Sequence, residues 1–146
     1  MSKVRSLADH ILSPKITLCT TDHQTLVRLA MAGVGHTADD ADELLYELER
    51  ATVVPESKLP LDVVRMGSLV SFRAGDETKT VQLVYPKDAD ISQGKISVLT
   101  PVGAALIGLR AGQSITWRTR GDRRQALTVL LVSQNDFERP QPPSAA

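Results

Sequence analysis

A change of hydrophobic period at residues 52–60 divides this sequence into two parts of different structure. From Thr21 to Ala51, apolar residues recur every three or four positions, and after residue 60 they alternate or form short runs. Pro55 and Pro60 cannot continue a helix, because proline lacks an amide hydrogen and disfavours helical geometry in the preceding residue. The sequence therefore predicts a helical N-terminal part and a strand-rich C-terminal part, joined by a linker.

The N-terminal part is predicted to contain one helical hairpin. Residues 1–20 form a lead-in segment with a short strand at Lys15–Cys19, where polar and apolar side chains alternate. An antiparallel helical hairpin, a short coiled coil, follows at residues 21–51. Its first helix is predicted to end at Gly33-Val34-Gly35, and its second to begin at Thr37. The apolar face of the second helix consists of Ala41, Leu44, Leu45, Leu48 and Ala51.

Residues 61–136 are predicted to form an antiparallel sheet with one packed helix, which makes the chain α+β. The helix begins at Pro101, because proline is favoured at the first helical position. Residues 137–146 contain too little apolar surface to offset the entropy of ordering, so they are predicted to be disordered. The predicted strands are Leu69–Arg73, Thr80–Tyr85, Ile96–Leu99, Ser114–Arg118 and Ala126–Val132.

Charge and composition exclude several classes of protein. Lys and Arg together number 17, as do Asp and Glu, and the formal net charge is zero. This balance argues against strong autonomous binding to nucleic acid, which depends on neutralising phosphates. Cys19 is the only cysteine, so no intrachain disulfide can form and a cytoplasmic setting is expected. No segment approaches the roughly 20 apolar residues of a membrane-spanning helix, so no membrane contact is expected.

Three segments of the C-terminal part resemble one protein family. The run Ile96–Ile115 (ISVLTPVGAALIGLRAGQSI) resembles the signature segment of the C-terminal domain of the Gre transcript-cleavage factors. Asp62–Arg73 and Leu83–Pro86 resemble the same family, particularly its Rnk branch, and the likeness extends in order from about Pro55 to Val132. It implies an FKBP-like fold for this domain. The hairpin, at Thr21–Ala51, is several times shorter than in the cleavage factors and agrees with Rnk.

The resemblance implies a transcription regulator that docks at the rim of the RNA polymerase secondary channel. It also implies that the protein competes with Gre factors, modulates elongation and is not an enzyme. Cleavage in the long-hairpin factors needs tip carboxylates near a catalytic metal, whereas an arm of about a dozen residues extends only roughly 18 Å. We therefore expect a monomer without cleavage activity or cofactor. The polymerase contact maps onto Leu99, Thr100, Pro101, Val102 and Ala104.

Acidic residues at the predicted start of the second helix have two interpretations. They can stabilise the positive end of the helix dipole, or they can orient the protein against basic polymerase surface without a metal. They are Asp39, Asp40, Asp42 and Glu43. No catalytic residue and no metal site is predicted, because the histidines and Cys19 match no ligand spacing.

Two other functions stay open at this point. An FKBP-like body suggests peptidyl-prolyl isomerisation, which requires a concave pocket lined by aromatic residues. Only Phe72, Tyr85 and Trp117 are available in the body, and Trp117 is expected to fill the core. The other alternative is a binding module that regulates nucleoside diphosphate kinase through another partner. No phosphate-binding glycine loop or nucleophile motif supports kinase or hydrolase activity.

Overall fold

Two helices flanked by short strands form the N-terminal part of the protein. The computed structural model describes residues 14–32, 38–118 and 123–134, with backbone alone for residues 38–40 and 118. Strand β1 leads directly into helix α1, and helix α2 leads into strand β2. Their bounds are β1 Thr17–Cys19, α1 Thr20–Ala32, α2 Ala38–Arg50 and β2 Thr52–Val54.

Helices α1 and α2 pack against each other in antiparallel orientation, as the apolar spacing predicted. The His23 ring nitrogen Nε2, near the start of α1, lies 3.0 Å from the Leu48 carbonyl oxygen near the end of α2. Leu26 of α1 and Leu44 of α2 are both fully buried. The predicted turn at residues 33–35 and the predicted cap at Thr37 lie outside the described residues.

A strand begins the segment that was predicted as a linker. Strand β2 pairs in parallel with β1, from Thr17 opposite Thr52 to Cys19 opposite Val54. Branched side chains favour extended backbone, and Val54 is further restricted because it precedes Pro55. The start of the predicted linker is therefore a strand, held by its pairing with β1. The sequence of residues 52–60 alone did not indicate this pairing.

Five further strands form one sheet in the order β5-β4-β3-β7-β6. The predicted α+β class is confirmed, but the sheet differs from the expected antiparallel one at β5, which pairs in parallel with β4. The chain crosses from Val84 to Lys95 through two short 3₁₀ turns and returns in the same direction, as parallel pairing requires. The bounds are β3 Leu69–Ala74, β4 Glu77–Val84, β5 Lys95–Ser97, β6 Ser114–Arg118 and β7 Arg124–Ser133.

Helix α3, Pro101–Leu106, covers part of one face of this sheet and also contacts α2. Buried side chains of the helix pair, such as Leu44 and Leu48, join those of α3 and the sheet in one continuous core. Fully burying one such side chain stabilises a protein by about 1.5–3 kcal/mol. The helix pair is therefore held to the body by shared packing. Among the described helices, none has the length and apolar character needed to cross a membrane.

Candidate functional site

The junction between β5 and α3 is fixed by one threonine side chain. Thr100 Oγ1 accepts the Gly103 amide hydrogen at 3.0 Å and donates to the Ser97 carbonyl oxygen at 2.7 Å. Pro101 occupies the first position of α3, where its missing amide hydrogen has no structural cost. The predicted first-turn proline is confirmed, and the Thr100 cap holds Thr100 and Pro101 in one backbone geometry.

Gly103 allows α3 to approach the preceding strand closely. A Cβ atom at this position would lie 2.1 Å from the Ser97 carbonyl oxygen and 2.8 Å from the Val98 Cα. Both contacts are with backbone, which cannot move aside as the end of a flexible side chain can. The small residue is therefore required for the position of α3.

The five residues of the predicted polymerase contact differ in accessibility. Leu99 and Ala104 are only 3% and 2% exposed, so they belong largely to the core. Thr100, Pro101 and Val102 are partly exposed. These three residues are therefore the members of the predicted set that a partner can contact, whereas Leu99 packs in the core.

An apolar groove lies on one side of Pro101, where α3 leaves the sheet uncovered. Its volume is about 620 Å³, which is within the range of ligand pockets. Lys79 and Thr80, in the first half of β4, contribute polar atoms to its lining. Its apolar lining consists mainly of Phe72, Val81, Ile91, Ile96, Val102 and Trp117.

An acidic cleft lies on the other side of Pro101, between α2 and the body. Its volume is about 380 Å³. Its floor includes Pro101 and Ala104, and its wall on α2 consists of Asp42, Glu43, Tyr46 and Glu47. The structure thus brings two separately predicted groups, the docking segment and part of the acidic set, into one cleft. Asp39 and Asp40 lie in the first turn of α2, with their side chains outside the described part.

Trp117 and Pro101 together form a ridge between the two cavities, because both residues line both of them. The expectation that Trp117 fills the core is wrong in part, since its side chain is only partly buried. Its indole Nε1 is inaccessible to solvent and has no hydrogen-bond acceptor among the described residues. A buried donor without an acceptor costs about 1–3 kcal/mol.

Burial also affects the pKa of one carboxyl group on the acidic wall. Glu47 lies 2.7 Å from Arg50 in an ion pair one helical turn away. Burial raises the pKa of Glu47 above its usual range, and the Arg50 guanidinium opposes this effect. Asp42 is exposed at the rim. Of the three carboxylates that line the cleft, Asp42 is therefore in contact with water and Glu47 is partly desolvated.

The described residues contain no group of three or more histidine, cysteine, aspartate or glutamate side chains arranged to hold a metal. Cys19 is fully buried, and burial raises the pKa of its thiol. His23 contacts the Leu48 carbonyl oxygen, whereas His10 and His36 lie outside the described residues. Neither Cys19 nor His23 therefore belongs to a metal-ligand cluster among the residues that the structure describes.

Comparisons with known proteins match both parts of the chain. Residues 58–134 match the family "Transcription elongation factor, GreA/GreB, C-term", and residues 14–54 match "Rnk N-terminus". The "Regulator of nucleoside diphosphate kinase" of Escherichia coli K12 is 45% identical over 92 residues, covering 62% of this chain and 68% of that protein. The GreA factor of Rhodospirillum rubrum is 45% identical over 81 residues, covering 54% of this chain and 52% of its own.

A solved structure supports the same relationship. A GreA/GreB elongation factor from Nitrosomonas europaea superimposes with a TM-score of 0.64 at 38% identity, covering 83% of this chain and 99% of that one. The chain belongs to the GreA/GreB family of transcription elongation factors. Within this family the N-terminal match and the E. coli relative identify it as a member of the Rnk branch.

Proposed function

We propose that this protein binds bacterial RNA polymerase at the rim of the secondary channel and regulates transcription in the cytoplasm without cleaving the transcript. The observation that carries this proposal is the partly exposed Thr100-Pro101-Val102 segment, which the resemblance to Gre factors assigns to polymerase contact. A fixed backbone lowers the entropy lost on binding. Thr100 and Gly103 supply that rigidity before any partner arrives.

The test is the Pro101→Ala variant, measured for affinity to core RNA polymerase by fluorescence anisotropy. Alanine is a good helix former and retains the backbone position, so the melting temperature should change little. The variant loses apolar contact area that alanine cannot replace. We expect the affinity to fall by at least about tenfold, or ~1.4 kcal/mol.

A matched control is Pro86→Ala, because Pro86 also begins a short helical turn but lies outside the ridge, the groove and the cleft. Its affinity should stay within about twofold of the wild type. Unchanged affinity in a Pro101→Ala, Val102→Ala double variant that melts normally would move the interface away from this segment.

The apolar groove favours a second candidate function, peptidyl-prolyl isomerisation, since Phe72 and Trp117 both line it. An apolar concave surface with aromatic walls is what a proline side chain requires. Isomerisation of a proline-containing peptide takes tens of seconds or longer without catalysis, so acceleration by the full-length protein is easily measured. We expect no acceleration, and a rate increase abolished by Trp117→Ala would establish this activity instead.

A further inference from the structure

Helix α2 lies beside the ridge formed by Pro101 and Trp117, across the acidic cleft. Asp42 and Tyr46 are exposed, and they face Pro101 and Trp117 across the acidic cleft. Three of the described lining residues are carboxylates and none is basic. Because Pro101 and Trp117 line the groove as well, a segment seated on the ridge is beside both cavities at once.

We propose that α2 forms the second wall of the polymerase-binding site, and that the acidic cleft binds a lysine or arginine side chain of the polymerase segment seated on Pro101. This inference rests on the proposed function and names the chemistry of the partner. An apolar side chain of the same segment occupies the groove.

Charge and burial both support a cationic occupant. Glu47 is already paired with Arg50, so Asp42 at the exposed rim supplies a carboxylate that the docking segment itself lacks. Opposite charges across an interface increase the rate of association, and this increase declines with salt. The apolar floor of Ala104, Ala105 and Ile115 accommodates the methylene stem of a long basic side chain. A short helix pair therefore contributes to binding without entering the channel.

The experiment compares Asp42→Lys with Glu49→Lys. Both changes reverse one exposed charge on α2, but Glu49 does not line the cleft. Affinity for purified core RNA polymerase is measured with the full-length proteins at several salt concentrations. We expect Asp42→Lys to weaken binding by about tenfold or more at low salt and to reduce the salt dependence, whereas Glu49→Lys should bind within about twofold of the wild type.

Each outcome separates this inference from the proposed function. Wild-type affinity for Asp42→Lys, together with weak binding of Pro101→Ala, overturns the cationic cleft and leaves polymerase docking intact. Equal weakening by both charge reversals also overturns it, because the effect would then come from net charge alone. If the wild-type protein does not bind polymerase, both proposals fail. Melting temperatures of the two variants must match, and Asp42→Asn provides a milder second variant with the same expected direction.

Discussion

Gly103 shows how a single residue sets the shape of the junction between β5 and α3. The residue is buried in α3, and the Ser97 carbonyl oxygen occupies the space that a side chain would need. The same carbonyl accepts the hydroxyl hydrogen of Thr100, which in turn caps α3 through its contact with the Gly103 amide. Strand end, cap and helix are therefore interdependent, and a change at Gly103 acts on all three.

We predict that Gly103→Ala destabilises the protein by about 3 kcal/mol or more, because the added methyl group overlaps backbone atoms that must shift. Urea unfolding monitored by circular dichroism gives this value. The comparison variant is Gly94→Ala, whose Cβ atom would meet only the Thr80 carbonyl oxygen at 3.8 Å. That variant should lose only about 1–2 kcal/mol from its left-handed backbone conformation. A loss below about 1 kcal/mol for Gly103→Ala would contradict the close packing described here.

Residue types predicted the local geometry of this junction but not its accessibility. Pro101 was enough to predict the helix start, because the preference of proline for the first helical position is local in sequence. The burial of Leu99 and the exposure of part of Trp117 depend on how much of the sheet α3 covers. How much of the sheet α3 covers depends on tertiary packing, which local sequence patterns do not indicate.

At the scale of elements, one buried carboxylate connects α1 to the loop before β3. Asp22 is 6% exposed, and its Oδ2 accepts the Met66 amide hydrogen at 3.3 Å. Arg65 Nε lies 3.7 Å from the same oxygen, and Arg65 also contacts Glu56 at 3.6 Å. Burial raises the pKa of Asp22, while the Arg65 guanidinium partly opposes this effect. Asp22, at the contact between α1 and the loop before β3, therefore holds its proton more tightly in the folded protein than in the unfolded chain.

This raised pKa determines the sign of a pH effect on stability. The stabilisation from protonating Asp22 is complete below the unfolded value of 3.8 and is lost as pH rises through the higher folded value. Asp22→Asn keeps a neutral acceptor for the Met66 amide. We therefore expect the unfolding free energy of the variant, relative to wild type, to increase as pH rises from about 4 to about 7.

Urea unfolding at a series of pH values measures this trend. Asp76→Asn makes the same chemical change on the exposed turn between β3 and β4 and serves as the control. A difference between Asp22→Asn and wild type that stays constant with pH would show that Asp22 holds its proton no more tightly in the folded state.

Elements with strong local signals were predicted well, and those that depend on distant partners were not. Strand β6 was predicted with its observed bounds, and α1, α2 and α3 were predicted within a few residues. Strand β2 was missed, since it exists by pairing with β1 more than thirty residues earlier. The parallel direction of β5 was missed because it is set by the crossover path.

At the scale of the whole molecule, the shared core limits how the helix pair can be studied. Leu44 and Leu48 of α2 belong to the same core as Leu106 and Ile107 of the body. Deleting the helix pair would expose these body side chains to water, at a cost of about 1.5–3 kcal/mol for each one fully uncovered. A truncated protein could therefore lose polymerase binding because it no longer folds. Point variants on the surface of α2 test the contribution of α2 to binding without this ambiguity.

The length of the helix pair bears on whether this protein can stimulate transcript cleavage. Helix α2 contains 13 residues and is therefore only about 20 Å long, and its C-terminal part is committed to the core beside α3. Asp39 and Asp40 lie in the first turn of this short helix, whereas metal-assisted cleavage needs carboxylates at the polymerase active site. We predict that adding the full-length protein to backtracked RNA polymerase complexes leaves the rate of transcript cleavage unchanged, while a long-hairpin Gre factor added in parallel accelerates it. The protein should reduce that acceleration when both are present, because both would compete for the same rim. Cleavage stimulated by this protein and abolished by Asp40→Ala would contradict the geometric limit, since it would require the start of α2 to reach the catalytic metal.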